Sequence, residues 1–466
     1  MDRSNGFIKN LFMVLSSNLI VLGLGVLISF ILPLYLSIEN YGYWQLYNYY
    51  IGFVGLFMFG FSDGMNLRYS GVKPEELNKN IFKNFLRFTI LFSALMAVIL
   101  FLLALCLPNN SYKVIYIFII INIFLFNVNG FFIHLNQMTF QFKQYSIANS
   151  MERILFVIFL IGMFYFGVKD FTLYIVLNII CRILALIFNI YTCKEVVFFS
   201  SLYSIKDIKG DIQENFVSGF PLTIASICSM LMTTMPRFIV GKLMTISSYG
   251  IFSFGSTTLN LVIQIIFAMS TVFYPTLKRL DREKSKFLYS KLNNVISILC
   301  GISLVTYYFT YPLITFAFKK YIPVLDYLYL LFPTLYYQSM NSLVISNFSR
   351  VLRLEKKYFV SNVTFLAINF VISYLVGYYT HSIKAILLVS LFIMQLWILY
   401  GQSFINNEFG VKTKDYLGIS LVFIFIILNI IFSYTISFFI YSIIIILVVI
   451  YVLKYKKVSL NILGDK

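Results

Sequence analysis

The chain is a succession of apolar runs of about 20 residues, each parted from the next by a short polar turn, and that spacing leaves few folds open. Twenty helical residues rise about 30 Å, the thickness of a bilayer's hydrocarbon core. With 60% of its 466 residues hydrophobic and only 12% charged, a water-soluble fold has too little polar surface to cover its apolar content. The sequence therefore predicts an all-α, polytopic membrane protein. Apolar spans lie near 11–36, 44–67, 84–107, 114–136, 146–167 and 171–193, then near 216–240, 250–274, 292–318, 327–349, 359–379 and 383–404. The last run, 417–453, is about twice one span and is interrupted by FSYTIS at 432–437, so it reads as a helical hairpin and brings the count to fourteen.

The formal charge of +18 reads as topology rather than nucleic-acid binding, because Lys and Arg sit in small groups between spans with no continuous basic face. With the N-terminus inside, 27 of the 36 Lys and Arg fall on the cytoplasmic side, including KRLDREKSK at 278–286 and RVLRLEKK at 350–357. Lys113, Lys169, Arg237, Lys242, Lys319, Lys320 and Lys384 fall outside or near outer helix ends, and Arg153 and Arg182 lie within helices. Both termini are therefore placed in the cytoplasm and the protein in the cell membrane. The first span follows Arg3 and Lys9, is too long for a signal-peptide core, and stays as helix 1. Cys106, Cys181, Cys193, Cys228 and Cys300 form no C-x-x-C and read as small apolar fillers. His134 and His381 stand beside no second ligand or nucleophile, so neither a metal nor a cofactor is expected.

Two local matches point to a duplication. SIENYGYW at 37–44 resembles TISSYGIF at 245–252, an offset of 208, and KQYSIAN at 143–149 resembles KKYFVSN at 356–362, an offset of 213. The boundaries are an N-terminal six-helix lobe at 1–200, a C-terminal six-helix lobe at 201–410, and a hairpin with a cytoplasmic tail at 411–466. An even number of crossings per repeat makes both copies enter the membrane in the same direction. The lobes are then related by a pseudo-two-fold axis along the membrane normal, facing each other across a central crevice.

Three segments carry a family resemblance: ILPLYLSIENYGYWQLY, GFPLTIASICSMLMTTMPRFIVGKLMTISSYGIFSF and FYPTLKRL. They resemble the polysaccharide flippase, or Wzx-type, branch of the multidrug/oligosaccharidyl-lipid/polysaccharide exporter superfamily. Members commonly carry an acidic residue just before the position of Arg237; here it is Pro236. The resemblance implies a carrier that moves an undecaprenyl-diphosphate-linked oligosaccharide to the outer leaflet for capsule, exopolysaccharide or O-antigen assembly. Glycosyltransferases and a polysaccharide polymerase are candidate partners, and proton or sodium coupling stands beside membrane potential as the driving force.

Such a substrate has a polar glycan and a diphosphate that resist crossing, so the carrier needs a wet crevice with cationic groups, and arginine binds phosphate oxygens in pairs. Arg182, halfway along helix 6, is the leading candidate, with a structural ion pair to Glu152 as the other reading. Arg153, Arg68, Arg237 and Lys242 complete the substrate-binding candidates, Arg237 and Lys242 either as an outer rim or as residues snorkelling to headgroups. Asp63 in GFSDGMNLRYS is a candidate for ion coupling or for anchoring, and Gly60 with Gly64 forms a G-x-x-x-G packing step. A lipid II flippase or a drug/cation antiporter of the same fold is the nearest rival. A membrane glycosyltransferase or polymerase is less well supported, because no sizeable outer loop carries catalytic groups.

Overall fold

A computed structural model describes residues 2–70, 76–199, 208–278, 281–412 and 415–455. Helices account for its regular structure, and no strand occurs among the described residues. Contacts divide the chain into two compact units, Met1–Ile227 and Cys228–Lys466.

The first unit runs through α1 (Asp2–Tyr35), α2 (Ile38–Ile51), a 3₁₀ turn (Val54–Met58) and α3 (Phe61–Tyr69). It continues with α4 (Lys79–Leu105), α5 (Ser111–Met138), α6 (Phe142–Tyr165), α7 (Phe171–Thr192), the short α8 (Lys194–Val197) and the first part of α9 (Lys209–Leu243). Its inner core gathers Met58, Phe61, Met65, Phe82, Phe85 and Phe131. The expected second span is not one helix. Phe59 and Gly60 take φ of 46° and 83°, a left-handed pair that cannot continue a right-handed helix, so α2 and α3 are separate pieces.

The second unit holds the rest of α9 and then α10 (Ile246–Lys278), α11 (Arg282–Leu304) and α12 (Thr306–Ala317). A 3₁₀ turn (Lys319–Val324) leads into α13 (Leu325–Leu331) and α14 (Thr334–Ser339), followed by a π-helical turn (Met340–Ile345) and α15 (Ser346–Val351). The chain ends with α16 (Glu355–Thr380), α17 (Ile383–Phe409), α18 (Tyr416–Ile431) and α19 (Tyr434–Tyr455). FSYTIS parts α18 from α19, as the interruption of the apolar run predicts. Buried Asp415 anchors the start of α18 by accepting from Ser297 Oγ (2.5 Å), Tyr336 Oη (2.9 Å) and the Gly418 amide (2.8 Å).

Helix falls within each expected span, the second, ninth and tenth in pieces. Among the described residues, nine helices are long and apolar enough to cross a membrane, and Ile20–Tyr35 and Tyr416–Ile431 are shorter apolar helices. Both repeat matches fall at helix starts. Ser37 caps α2 through the Asn40 amide at 3.1 Å, Thr245 accepts from the Ser248 amide at 3.2 Å, and Tyr41 and Tyr249 are both buried. Residues 279 and 280 of the basic cluster lie outside the described residues, as does Lys206.

Candidate functional site

Arg182 is the twelfth of 22 residues in α7 and Arg153 the twelfth of 24 in α6. Arg182 is buried and binds Glu152 in a fork, Nε to Oε2 at 3.0 Å and Nη2 to Oε1 at 2.7 Å. Its Nη1 donates to Asn122 Oδ1, and its Cζ lies 5.4 Å from the Phe126 ring centroid. Asn122 Nδ2 donates to Tyr47 Oη (2.9 Å), Tyr47 Oη to Asn178 Oδ1 (2.9 Å), and Asn178 Nδ2 to Glu152 Oε1 (3.3 Å). The five side chains close a ring drawn from α2, α5, α6 and α7. Every bond has one donor and one acceptor, with the guanidinium as source and the carboxylate as sink, so the opposite charges polarise the ring in one sense. Three of the guanidinium's nitrogens are thereby engaged inside the unit.

The ring continues along α5. Asn129 Nδ2 donates to the Arg182 carbonyl at 3.1 Å, Asn189 Nδ2 to Asn129 Oδ1 at 2.9 Å, and Cys193 Sγ to Asn136 Oδ1 at 3.6 Å. Sequence reasoning named none of the asparagines or Tyr47. The signal was present: Asn122, Asn129 and Asn136 recur every seven residues, as do Arg182 and Asn189, and that interval keeps residues on one helix face.

Arg153 stands differently. It is exposed, its charge lies within range of Glu152 and Arg182, and it makes no hydrogen bond or ion pair with another described residue. Its guanidinium lies against α1 at Gly25, where an added Cβ would sit 3.0 Å from Nη1. A side chain there would press on that guanidinium. Glu152 neutralises one of two neighbouring arginines, so the three side chains carry one positive charge in excess.

Arg68 and Asp63 lie on α3, which packs on α9 with backbone almost touching backbone. A Cβ on Gly60 would come within 2.5 Å of Gly219 and Phe220, and one on Gly64 would overlap the Asn215 carbonyl. Arg68 binds Asp211 at 2.8 Å, Glu214 at 2.5 Å and Asn215 Oδ1 at 2.8 Å. Asp63 accepts from the Thr223 hydroxyl. In the second unit, Arg237 donates from Nε to Tyr249 Oη at 3.1 Å, and exposed Lys242 lies 5.9 Å from the Phe238 ring, one turn earlier on α9. The first unit thus brings Arg153, Arg182 and Glu152 together, and separately Asp63 and Arg68. Arg237 and Lys242 share the later turns of α9.

Many apolar helices around a polar, partly charged interior define a multi-pass membrane protein, and its fold is one that transporters share. Over 97% of the chain it is similar to "Lipid II flippase MurJ, inward closed conformation", which is covered to 99% at 14% identity with a TM-score of 0.66. An inward-facing multidrug resistance MATE family transporter of the MOP superfamily is matched over 86% of this chain and 99% of its own, at 11% identity and TM-score 0.62. A point mutant of the Vibrio cholerae MATE transporter VcmN is matched over 86% and 96%, at 14% identity and TM-score 0.54. No curated protein matches in sequence. Residues 7–281 match the family described as "Polysaccharide biosynthesis protein", and the chain belongs to that family.

Proposed function

We propose that the protein is a Wzx-type flippase that carries undecaprenyl-diphosphate-linked oligosaccharide from the cytoplasmic to the outer leaflet by alternating access, and that it is not an enzyme. The observation that carries this reading is Arg153. Arg153 is exposed eight residues into the apolar span 146–167, and facing the lipid core there would cost it about 2.5–3.5 kcal/mol. It is accommodated if that face of the first unit lines water, and a diphosphate is the ligand that a surplus arginine there suits best. Arg182 then acts behind it, holding Glu152 so that the carboxylate does not cancel Arg153. Arg237 and Lys242 serve as a second cationic station, and both termini are cytoplasmic. The polysaccharide family supports the glycan-linked cargo.

Loss of the protein is expected to leave the lipid-linked repeat unit synthesised but trapped in the cytoplasmic leaflet, with surface polymer absent. Failure of the intermediate to form in cells with intact glycosyltransferases would point to a synthetic enzyme instead. Likeness to the lipid II flippase MurJ favours a second reading, in which the cargo is lipid II; rescue of a strain depleted of its lipid II flippase would establish it and displace the first.

A further inference from the structure

The chain turns back between α15 and α16 on the same backbone that it uses between α5 and α6. Phe140 and Arg353 take φ of 58° and 56°. The amide after each closes on a carbonyl five residues back, Gln141 on Asn136 at 2.9 Å and Leu354 on Ser349 at 2.7 Å, all at the offset of 213. The side chains on the two turns differ. Residues 137–144, QMTFQFKQ, carry one cation, Lys143, whereas residues 350–357, RVLRLEKK, carry Arg350, Arg353, Lys356 and Lys357 against one carboxylate, Glu355. A phenylalanine occupies the left-handed position of the first turn, so the turn itself does not call for an arginine. Arg353, Lys356 and Lys357 are exposed and make no side-chain hydrogen bond or ion pair with a described residue.

These charges stand at the head of an apolar face. Tyr358 fixes the start of α16 inward, bonded to Asn341 Oδ1 at 3.2 Å and to the Ser229 hydroxyl at 2.9 Å, and Asn362 and Asn369 are buried on the same side. The opposite side begins at Lys356 and continues at intervals of three or four residues through Val360, Val363, Ala367, Val371 and Leu375, each exposed. No residue from 358 to 380 is charged. An exposed stripe of that length without charge suits acyl chains rather than water, and the charge pattern of the chain puts its cationic end in the cytoplasm.

We propose that the α15–α16 turn and the outward face of α16 bind one anionic phospholipid, its phosphate held by Arg353, Lys356 and Lys357 and an acyl chain lying along Val360, Val363, Ala367 and Val371. Cations grouped just beyond the end of a spanning helix attract the negative headgroups of the cytoplasmic leaflet, and the arginine adds a planar fork of donors that fits phosphate oxygens. A lipid with no net charge gains only the contact along the stripe. The site belongs to the second unit, apart from Arg153 and Arg182, and needs the membrane rather than the flippase reading.

Full-length protein in detergent is titrated with dioleoyl phosphatidylglycerol, dioleoyl phosphatidylcholine or undecaprenyl diphosphate, and native mass spectrometry gives the affinity for the first lipid retained. A cation beside the headgroups contributes about fivefold, so Arg353→Gln with Lys356→Gln and Lys357→Gln is expected to weaken phosphatidylglycerol about a hundredfold and to leave phosphatidylcholine unchanged. Lys143→Gln with Lys284→Gln and Lys286→Gln removes the same charge from other helices and should change the affinity by less than about threefold. Arg353→Gly, which the left-handed backbone accepts, removes the tip charge alone should the triple variant not accumulate, with an expected loss of about fivefold. Unchanged phosphatidylglycerol affinity in these variants, equal weakening in the control, or no preference of the native protein for phosphatidylglycerol over phosphatidylcholine overturns the proposal. Retention of undecaprenyl diphosphate but not phosphatidylglycerol also overturns it, by giving the cations to the cargo. No transport is measured, so failure here leaves the flippase reading intact.

Discussion

Arg153→Ala and Arg182→Ala are expected to fail in different ways. Arg182→Ala takes the forked partner from a partly buried carboxylate and opens the ring, so the amount of folded protein in the membrane should fall. Adding Glu152→Ala removes the stranded charge and should restore the level. Arg153→Ala breaks no described hydrogen bond and should leave abundance unchanged while surface polymer is lost. Immunoblotting of membranes alongside polymer staining separates these results, and normal polymer from Arg153→Ala would end its assignment to the cargo. Gly25→Leu should mimic the transport defect, because its side chain occupies the place where Nη1 rests. The sequence exposed both arginines, since charge in an apolar run is conspicuous, and it raised the pairing with Glu152. It did not reveal which arginine is satisfied, because that depends on Asn122, Tyr47 and Asn178, which are distant along the chain and uncharged.

The element that sequence patterning misjudged is the second span. Its residues are mostly apolar, so hydropathy reports one helix, whereas the break is a backbone event at Phe59 and Gly60. The G-x-x-x-G step was legible as a packing device, and Gly219 on α9 is the surface it meets. Here two substitutions should rank in an order that charge alone would reverse. Gly64→Ala drives a methyl group into the Asn215 carbonyl, where no flexible side chain can yield, and should destabilise by about 3 kcal/mol. Arg68→Ala removes a half-exposed ion pair network and should cost about 1 kcal/mol. Thermal denaturation in detergent measures both; a larger loss from Arg68→Ala would mean that α3 is held on α9 by charge rather than by backbone contact.

For the molecule as a whole, reporters fused near Ser37, His381 and Tyr434 should read outside, and those near Lys206, Lys284 and Asn406 inside. One inversion in that series breaks the count of fourteen crossings. If the two matched segments reflect a duplication, the copies differ in their interiors. By the offset of 213, Arg182 corresponds to Gln395 and Glu152 to Phe365, and Gln395 is 7% exposed with neither amide atom partnered among the described residues. The ring of the first unit also bears on how the chain is made. Glu152 leaves the ribosome 30 residues before Arg182, so α6 reaches the translocon with only the adjacent Arg153 as a counter-charge, before its forked partner has been synthesised. Left alone in lipid, each such charge costs about 2.5–3.5 kcal/mol. Insertion of α6 and α7 as one hairpin lets Arg182 reach Glu152 as both enter the bilayer, and pulse-chase crosslinking of α6 to the translocon before and after α7 emerges would test it.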